Sequence, residues 1–256
     1  MELQDKVAVI TGGSGGIGKA MAVAFIEQGA RGIVLADLNQ QQVEATAAEL
    51  GCTGLACDVT QEGDVQAVVD RTLKQYGQID LFCSNAGAGG LGLLTDASNE
   101  VWQKQWELHV MSHVYAARAV LPAMLARGDG YLLNTASAAG LLAAMGSGPY
   151  SVSKAAAVKL AEFIAITHGD EGIKVSVLCP QGVNTAMAPK RLGDGQTDGI
   201  IEPEALAATV VETLREERFY VLPHPEVGDY VRRKGDNIDR WLHGMRRLRK
   251  STFDND

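Results

Sequence analysis

The sequence predicts an α/β fold: a doubly wound, mostly parallel sheet with helices on both faces. Short β-branched or apolar runs alternate with longer segments of helical periodicity along most of the chain. Successive parallel strands need crossover connections, which are right-handed and cover both faces of the sheet. No Pro-rich or Ser-rich linker interrupts this alternation. We therefore expect a single domain spanning residues 1–256.

Each element follows from a local pattern. The short apolar runs predict strands over residues 7–10, 33–36, 54–57, 79–84, 131–135 and 175–178. Helical periodicity predicts helices over residues 20–28, 41–50, 65–76, 101–126 and 150–168, and a further helix from about Pro203, since proline suits a first turn.

Two regions stand apart from this alternation. A polar, glycine-rich segment predicts a substrate loop over about residues 183–201. Near the carboxyl end, an apolar stripe amid Arg and Lys predicts an amphipathic helix over about residues 229–250; the stripe consists of Ile238, Trp241, Leu242, Met245 and Leu248.

Charge and composition exclude several classes of protein. The chain has 256 residues, of which 46% are hydrophobic, and a formal net charge of -8, which argues against a nucleic-acid binder. The amino terminus lacks the basic start and apolar run of a signal peptide, and no run of roughly 18 apolar residues could span a bilayer. We therefore expect a cytoplasmic protein with no nucleic-acid or membrane partner.

A glycine-rich turn joins the first predicted strand directly to a helix. Glycine lets the backbone turn sharply and approach a pyrophosphate, whose charge the helix N-terminus stabilises. Flexible surface turns also collect glycine, but the strand–turn–helix context predicts a Rossmann-type dinucleotide site. The candidate contacts in the turn are Gly12, Ser14, Gly15, Gly16, Ile17 and Gly18.

Asp37 ends the second predicted strand, 19 residues after Gly18, and Leu38 follows it. A carboxylate at this point accepts hydrogen bonds from the adenosine ribose and repels a 2′-phosphate. No Lys or Arg lies between Gly12 and Gly18 or directly after Asp37. The pattern favours NAD over NADP, with an ordinary turn residue at a strand end as the alternative.

A catalytic group is predicted around Tyr150 and Lys154, which lie four residues apart on one helix face. A nearby cation favours the phenolate and should bring the phenol pKa down from about 10 towards working pH. Ser137, just beyond the strand at 131–135, could hydrogen-bond a substrate carbonyl oxygen.

Together these motifs resemble the short-chain dehydrogenase/reductase family over essentially residues 5–185. Besides the glycine turn, Ser137, Tyr150 and Lys154, the matching residues are Asp58, Val59, Ser84, Asn85, Ala86, Gly87, Pro180, Val183 and Thr185. The resemblance implies that Tyr150 transfers the proton, that Ser137 positions the substrate oxygen, and that Lys154 tunes Tyr150 and holds the nicotinamide ribose. It further implies that Asp58 and Val59 contact adenine, that residues 85–87 flank the cofactor, and that Val183 and Thr185 steady the carboxamide.

Three positions depart from the family pattern. His109 stands in the long helix where the family usually has Asn, Gln181 follows Pro180 where Gly is usual, and residues 219–225 replace a glycine-rich closing segment. Any residue can supply the backbone carbonyl that the family's Asn offers to the proton relay. The His109 imidazole either fills the helix bend passively or joins the proton path, so we include it among the candidate catalytic residues.

Alternative functions remain open at this stage. The chain could be a catalytically silent NAD-binding sensor or scaffold, or an epimerase or dehydratase that uses NAD transiently. An intact Ser, Tyr and Lys set argues against the first, and net NADH turnover would argue against the second. A metal site at His109 and His113 has two ligands only, so we expect no metal.

The substrate and partners follow from apolar surfaces. Segments 88–94 and 141–148 are uncharged and apolar, which favours a neutral, largely hydrophobic secondary alcohol or its ketone. The tail stripe needs a surface to cover, either the substrate loop or another subunit. The family resemblance implies a homodimer or homotetramer joined through the helices at 101–126 and 150–168, where the alanines at 155–157 permit close approach.

Overall fold

The computed structural model describes residues 1–90, 92–186 and 197–253. The strands are β1 (Val7–Thr11), β2 (Gly32–Asp37), β3 (Thr53–Ala56), β4 (Leu81–Ser84), β5 (Gly130–Thr135), β6 (Ile173–Leu178), β7 (Gly182–Val183), β8 (Ile200–Ile201) and β9 (Tyr220–Val221). Within those ranges, seven strands form one parallel sheet in the order β3-β2-β1-β4-β5-β6-β9, and β7 pairs with β8.

The helices are α1 (Gly16–Glu27), α2 (Gln40–Leu50), α3 (Glu62–Tyr76), α4 (Asn99–Trp106), α5 (Ser112–Arg127), α6 (Ala138–Leu142), α7 (Gly148–His168), α8 (Pro203–Glu216), α9 (Glu226–Asp236) and α10 (Ile238–Phe253). A short 3₁₀ turn, Gly169–Glu171, precedes β6. None of the described helices is long and apolar enough to cross a membrane.

Helices cover both faces of the sheet, which confirms the predicted α/β, doubly wound architecture. On one face, buried strand side chains such as Val9 and Phe82 pack with α3, α5 and α7. On the other face, Ile10 and Leu35 pack with α1, α2 and α8. Full burial of such side chains contributes roughly 1.5–3 kcal/mol each. This two-sided core holds the carboxyl ends of the strands in fixed positions.

The chain reverses its direction of winding between β1 and β4. These strands are neighbours in the sheet, with Val9 beside Phe82 and Ile10 beside Cys83, although α1 to α3 separate them along the chain. In open α/β sheets, ligands bind at the carboxyl edge beside such a switch point. The glycine turn after β1 and the 85–87 segment after β4 meet at this edge.

The helix predicted over 101–126 contains an interruption. A π-helical turn, Glu107–Met111, separates α4 from α5. Single π turns insert one residue into an α-helix and often occur at functional sites. The apolar pattern predicts one continuous helix here, whereas the family resemblance implies a bend at His109. His109 lies in the middle of the π turn.

The prediction of one carboxyl-terminal helix over about 229–250 is wrong: the structure has two, α9 and α10. Asn237 lies between them in extended conformation (φ -157°, ψ 97°). Its side-chain oxygen accepts a hydrogen bond of 2.9 Å from the N–H of Arg240, so Asn237 caps α10. The apolar stripe from Ile238 to Leu248 lies wholly within α10, so it gives no information about the break that precedes it. The predicted substrate loop lies partly outside the described residues, while its two ends form β7 and β8.

Candidate active site

The glycine turn leaves the start of α1 open to an anion. Gly15 precedes the helix in extended conformation and makes no side-chain capping hydrogen bond. The first-turn N–H groups of a helix have no partner within the helix, and with the helix dipole they attract phosphate groups. The turn therefore has the chemistry that a dinucleotide pyrophosphate requires.

Glycine is required at two positions of this turn for steric reasons. Gly12 has φ +64°, and a Cβ there would lie 2.9 Å from the Cα of Ala86. A Cβ on Gly18 would lie only 2.1 Å from the carbonyl oxygen of Gly12. The turn thus packs against the 85–87 segment through bare backbone, as a cradle for a cofactor needs.

Asp37 lies at the carboxyl end of β2, next to the glycine turn. Its Oδ2 accepts hydrogen bonds from the N–H of Ser14 at 3.1 Å and from the Ser14 hydroxyl at 2.6 Å. The carbonyl oxygen of Ser14 in turn accepts from the hydroxyl of Thr46 at 3.0 Å. The Asp37 carboxylate is thereby fixed at the edge where a ribose would lie, while Leu38 is 73% exposed beside it.

Asp58 and Val59 follow β3, which pairs with β2 at the same edge. Oδ1 of Asp58 accepts hydrogen bonds from the N–H and hydroxyl of Thr60, at 3.0 and 2.7 Å. Val59 is buried in the core beneath it. The structure therefore places Asp58 and Val59, the two residues predicted to contact adenine, near Asp37.

Thr11, which sequence reasoning did not single out, joins the turn to the 85–87 segment. Its hydroxyl accepts the N–H groups of Asn85 at 2.9 Å and of Ala86 at 3.1 Å, and its carbonyl accepts the Asn85 amide at 3.0 Å. The other end of the Asn85 side chain accepts from the Thr135 hydroxyl at 3.2 Å. These bonds tie the ends of β1, β4 and β5 together.

Tyr150, Lys154 and Ser137 come together beyond β5. Lys154 is 3% exposed; its Nζ donates to the carbonyl oxygen of Thr135 at 2.9 Å and lies 5.8 Å from the centre of the Tyr150 ring. The Tyr150 and Ser137 side chains are hydrogen-bonded. The Ser137 hydroxyl also accepts the N–H of Ala139 at 3.1 Å, which caps α6. A phenol, an alcohol and an ammonium thus share one buried corner.

Burial dominates the charges in this corner. It raises the pKa of the Tyr150 phenol, and the hydrogen bond with Ser137 only partly opposes that rise. Burial also lowers the pKa of Lys154 to about 7. The expected lowering of the Tyr150 pKa is therefore not found. The physical reason is that the phenol itself is buried, while Nζ of Lys154 is directed to the carbonyl oxygen of Thr135 rather than to the phenol.

The segment after β6 closes the site from the other side. The carbonyl oxygen of Pro180 accepts the N–H of Ala138 at 2.9 Å, next to Ser137. Val183 is buried. Thr185 lies so near the glycine turn that a Cβ on Gly16 would be 3.2 Å from its methyl group. The structure therefore brings Thr185, one of the two residues predicted to contact the carboxamide, next to the glycine turn.

Cys179 lies just before Pro180 and is fully buried. Burial raises the pKa of its thiol to about 12. The thiol is therefore neutral at physiological pH and adds no charge to the site.

The His109 ring bridges two parts of the site. Its Nε2 accepts the N–H of Ala88 at 3.3 Å, and its Nδ1 lies 3.0 Å from the hydroxyl of Ser153, one residue before Lys154. The ring also meets Tyr150 edge-on, with centroids 5.4 Å apart and an angle of 87°. Burial lowers the pKa of His109 to about 2.

His113 lies one helical turn beyond His109 and is fully buried, and burial lowers its pKa to about 3. Among the described residues, no group of three His, Cys, Asp or Glu side chains could hold a metal ion.

A second polar cluster surrounds Gln181, the residue that replaces the family's usual glycine. Its side-chain amide donates to Oδ2 of Asp198 at 2.7 Å, and Oδ1 of Asp198 accepts from the hydroxyl of Tyr230 at 2.9 Å. The N–H of Gln181 donates to Nδ1 of the buried His224 at 3.3 Å. Asp198 thereby fastens α9 to the turn after Pro180. Gln181 and His224, which lies in the departing segment 219–225, both belong to positions where the sequence differs from the family pattern.

The two segments predicted to line the substrate pocket lie side by side. The N–H of Gly92 donates to the carbonyl of Gly146 at 3.0 Å, and the N–H of Gly148 donates to the carbonyl of Gly92 at 3.0 Å. From α9, the ammonium of Lys234 donates to the carbonyl of Leu141. Helix α9 thus contacts the wall that contains residues 141–148.

Comparison with known proteins identifies the family. The family described as short chain dehydrogenase matches residues 6–194, so the chain belongs to the short-chain dehydrogenase family. It is 34% identical to 1-deoxy-11-beta-hydroxypentalenate dehydrogenase of Streptomyces exfoliatus, over 95% of this chain and 91% of that protein. It is 35% identical to 3beta-hydroxysteroid dehydrogenase 2 of Eggerthella lenta, over 72% of this chain and 73% of that protein.

A solved structure is similar over nearly the whole fold. It is a short chain dehydrogenase/reductase from Burkholderia phymatum in complex with NAD, 30% identical, with a TM-score of 0.85. The match covers 93% of this chain and 96% of the other. The resemblance inferred from the motifs is therefore confirmed.

Proposed function

We propose that this protein is an NAD-dependent dehydrogenase that interconverts a secondary alcohol and its ketone. One observation carries the proposal: Ser137, Tyr150 and Lys154 form a connected group at the carboxyl edge of the sheet, beside a glycine turn suited to a dinucleotide. A silent NAD-binding sensor would not need this group. The named relatives that are dehydrogenases of hydroxy compounds support the same reaction class.

Each side chain has a distinct role in this proposal. The Tyr150 phenol exchanges the hydroxyl proton with the substrate as general acid or base. Ser137, hydrogen-bonded to Tyr150, directs the substrate oxygen towards that phenol. Lys154 supplies positive charge behind the phenol and a donor for a ribose hydroxyl. The raised pKa of Tyr150 makes the phenol a proton donor at neutral pH, so the oxidative direction requires its deprotonation.

NAD, when bound, supplies the acceptor or donor of the hydride. The start of α1 would hold its pyrophosphate, and the fixed Asp37 carboxylate would accept ribose hydroxyls and repel a 2′-phosphate. Asp58 and Val59 would border the adenine, and Val183 and Thr185 the carboxamide. The NAD complex of the Burkholderia phymatum protein supports this choice of cofactor.

The substrate is proposed to be neutral and largely hydrophobic. The walls formed by 88–94 and 141–148 are uncharged, and the named substrates of the relatives include a hydroxysteroid. A hydroxypentalenate is among the other names, so relatives alone do not select one substrate. We further propose a single-domain cytoplasmic enzyme that forms a homodimer or homotetramer.

A screen of neutral secondary alcohols, ketones and small anionic hydroxy acids, each with NAD(H) and NADP(H), tests the proposal. We expect stoichiometric NADH turnover with hydrophobic alcohols or ketones. Product without net NADH change would indicate an epimerase or dehydratase. NAD binding without any turnover would indicate a sensor, and a preference for anionic hydroxy acids would contradict the apolar pocket.

A further inference from the structure

Three segments of the proposed active site meet at the His109 ring. The segment after β4 contributes the N–H of Ala88, the π turn contributes the ring, and α7 contributes Ser153 and the carbonyl of Tyr150. The distances are 3.3 Å from Ala88 N to His109 Nε2, 3.0 Å from His109 Nδ1 to Ser153 Oγ, and 3.0 Å from Ser153 Oγ to Tyr150 O.

The donor and the acceptor of each of these three hydrogen bonds follow from the two backbone groups at the ends of the series. A backbone N–H can only donate, so Nε2 of His109 accepts from Ala88 and carries no proton. A backbone carbonyl can only accept, so the Ser153 hydroxyl donates its one hydrogen bond to Tyr150 O. Ser153 Oγ must then accept from His109, which requires a proton on Nδ1. Only the neutral Nδ1–H tautomer satisfies all three bonds.

The chain of bonds reaches the two groups that the proposed chemistry uses. Ser153 lies between Tyr150 and Lys154 on α7, and the Tyr150 ring packs edge-on against His109. Gly87 separates the imidazole from the ammonium: a Cβ there would lie 3.4 Å from His109 Nε2 and 3.5 Å from Lys154 Nζ. A shift of the His109 ring would therefore displace both segments relative to each other.

We propose that His109 is a positioning residue: as the neutral Nδ1–H tautomer it fixes the part of α7 that carries Tyr150 and Lys154 against the 85–88 segment. It does not carry the transferred proton, because both ring nitrogens are already committed to Ala88 and Ser153. This inference rests on the proposed dehydrogenase function, since it assigns the group that aligns that site.

Histidine fits this position because it has two nitrogens on opposite sides of a rigid ring. An Asn side chain places its amide nitrogen near the Nδ1 position and can meet Ser153 but not Ala88. A Gln side chain reaches the Nε2 position and can meet Ala88 but not Ser153. Each variant therefore keeps one of the two hydrogen bonds and loses the other. Together the two variants test whether His109 must bond both Ala88 and Ser153.

The tautomer can be measured directly by NMR of protein labelled with ¹⁵N-histidine, with His109 assigned by the loss of its signals in His109→Gln. We expect a protonated Nδ1, an unprotonated Nε2, and no titration over about pH 5–8, where a free histidine changes charge. An Nε2–H tautomer, or a charge change in that range, would overturn the proposal. This readout does not depend on turnover.

Steady-state kinetics then test the positioning role. His109→Asn and His109→Gln should each lower kcat about 2- to 12-fold, the range for losing one neutral hydrogen bond, with KM for NADH within about twofold. Ser153→Ala removes both bonds of the hydroxyl and should lower kcat at least as much. The double variant His109→Gln/Ser153→Ala should be no slower than the slower single variant, because both changes break the same chain. Ser112→Ala, which removes a hydroxyl that donates to Leu108 O within the π turn but contacts neither His109 nor Ser153, should keep wild-type kcat.

Multiplicative losses in the double variant, or equal losses in Ser112→Ala, would overturn the positioning role. The outcomes separate this inference from the proposed function. Absence of turnover in the wild-type protein contradicts the dehydrogenase, whereas wild-type turnover with an Nε2-protonated or titrating His109 contradicts the bridge alone.

Discussion

The hydroxyl of Ser14 donates a hydrogen bond of 2.6 Å to Oδ2 of Asp37, and the backbone N–H of Ser14 donates to the same oxygen at 3.1 Å. The glycine turn and the carboxylate proposed to bind the ribose are therefore one connected unit. Hydrogen bonds to a charged group contribute roughly 1.5–3 kcal/mol, enough to hold the carboxylate in one orientation. Cofactor choice should depend on this unit.

Asp37→Ala removes both the ribose acceptor and the repulsion of a 2′-phosphate. We expect kcat/KM for NAD to fall roughly 10- to 100-fold, the loss of one charge-assisted hydrogen bond, while kcat/KM for NADP changes little or rises. Glu44→Ala, which removes an exposed carboxylate from α2, is the matched control and should leave the ratio unchanged. An unaltered NAD/NADP preference in Asp37→Ala would count against the assignment.

Gly18→Ala tests the steric basis of the glycine turn. The new methyl group would lie 2.1 Å from the carbonyl oxygen of Gly12, so the turn must distort. We expect the free energy of unfolding to fall by about 1–3 kcal/mol, as for overpacked sites, and NADH binding to weaken. Gly63→Ala, where a Cβ meets nothing within 4 Å, should leave binding intact. Equal thermal stability of the two variants would refute the close approach.

The burial of Lys154 should make stability depend on pH. Its pKa falls from 10.5 to about 7 on folding, so between these values the unfolded chain binds more protons and the free energy of unfolding rises with pH. The destabilisation is fully present below pH 7. Lys154→Met should remove this slope while abolishing turnover, whereas Lys159→Met, exposed on the same helix, should retain it. Parallel stability–pH curves for Lys154→Met and the wild type would show that Lys154 is not desolvated.

The outer face of α7 is the expected subunit contact. Phe163 and Ile166 on this helix are 61% and 80% exposed, an unusual position for such side chains. We expect Ile166→Glu to shift the protein towards monomers in sedimentation velocity at micromolar concentration. Leu242→Glu, at a 50% exposed position of the tail stripe, distinguishes the two surfaces. Dissociation by Leu242→Glu alone would assign the contact to α10, and a monomeric wild type would refute the oligomer.

Much of the fold could be predicted because the positions of apolar residues along the sequence match the side chains that are buried in the structure. The runs at 7–10 and 131–135 have no polar face, as strands covered on both sides require, and they are β1 and β5. The break at Asn237 escaped prediction because it depends on a local capping hydrogen bond, and the apolar stripe that follows does not show where its helix begins. At His109 the family resemblance implied a bend, but the apolar pattern does not show that the bend is a π turn.

For the candidate site, sequence order predicted which segments meet but not which atoms do. Gly12, Asn85, Ser137 and Thr185 converge because parallel strands end at one edge of the sheet. Thr11, Ser153 and Asp198 were not foreseen, because each acts through one side-chain hydrogen bond between segments distant in the sequence. The spacing of Tyr150 and Lys154 predicted a lowered pKa for the phenol. The pKa is raised instead, because the phenol is buried, and the sequence alone does not show how deeply a side chain is buried.

The most direct test of the dehydrogenase proposal is to measure single-turnover hydride transfer in Tyr150→Phe. NADH absorbance monitors the reaction, with the best substrate from the screen. The variant keeps the aromatic ring and loses the transferable proton, so NADH affinity should stay within about twofold of the wild type. Turnover should fall by about 10²- to 10⁴-fold, the usual contribution of a general acid or base. A variant that retained more than about a tenth of the wild-type rate would contradict the role of Tyr150 and with it the proposed mechanism.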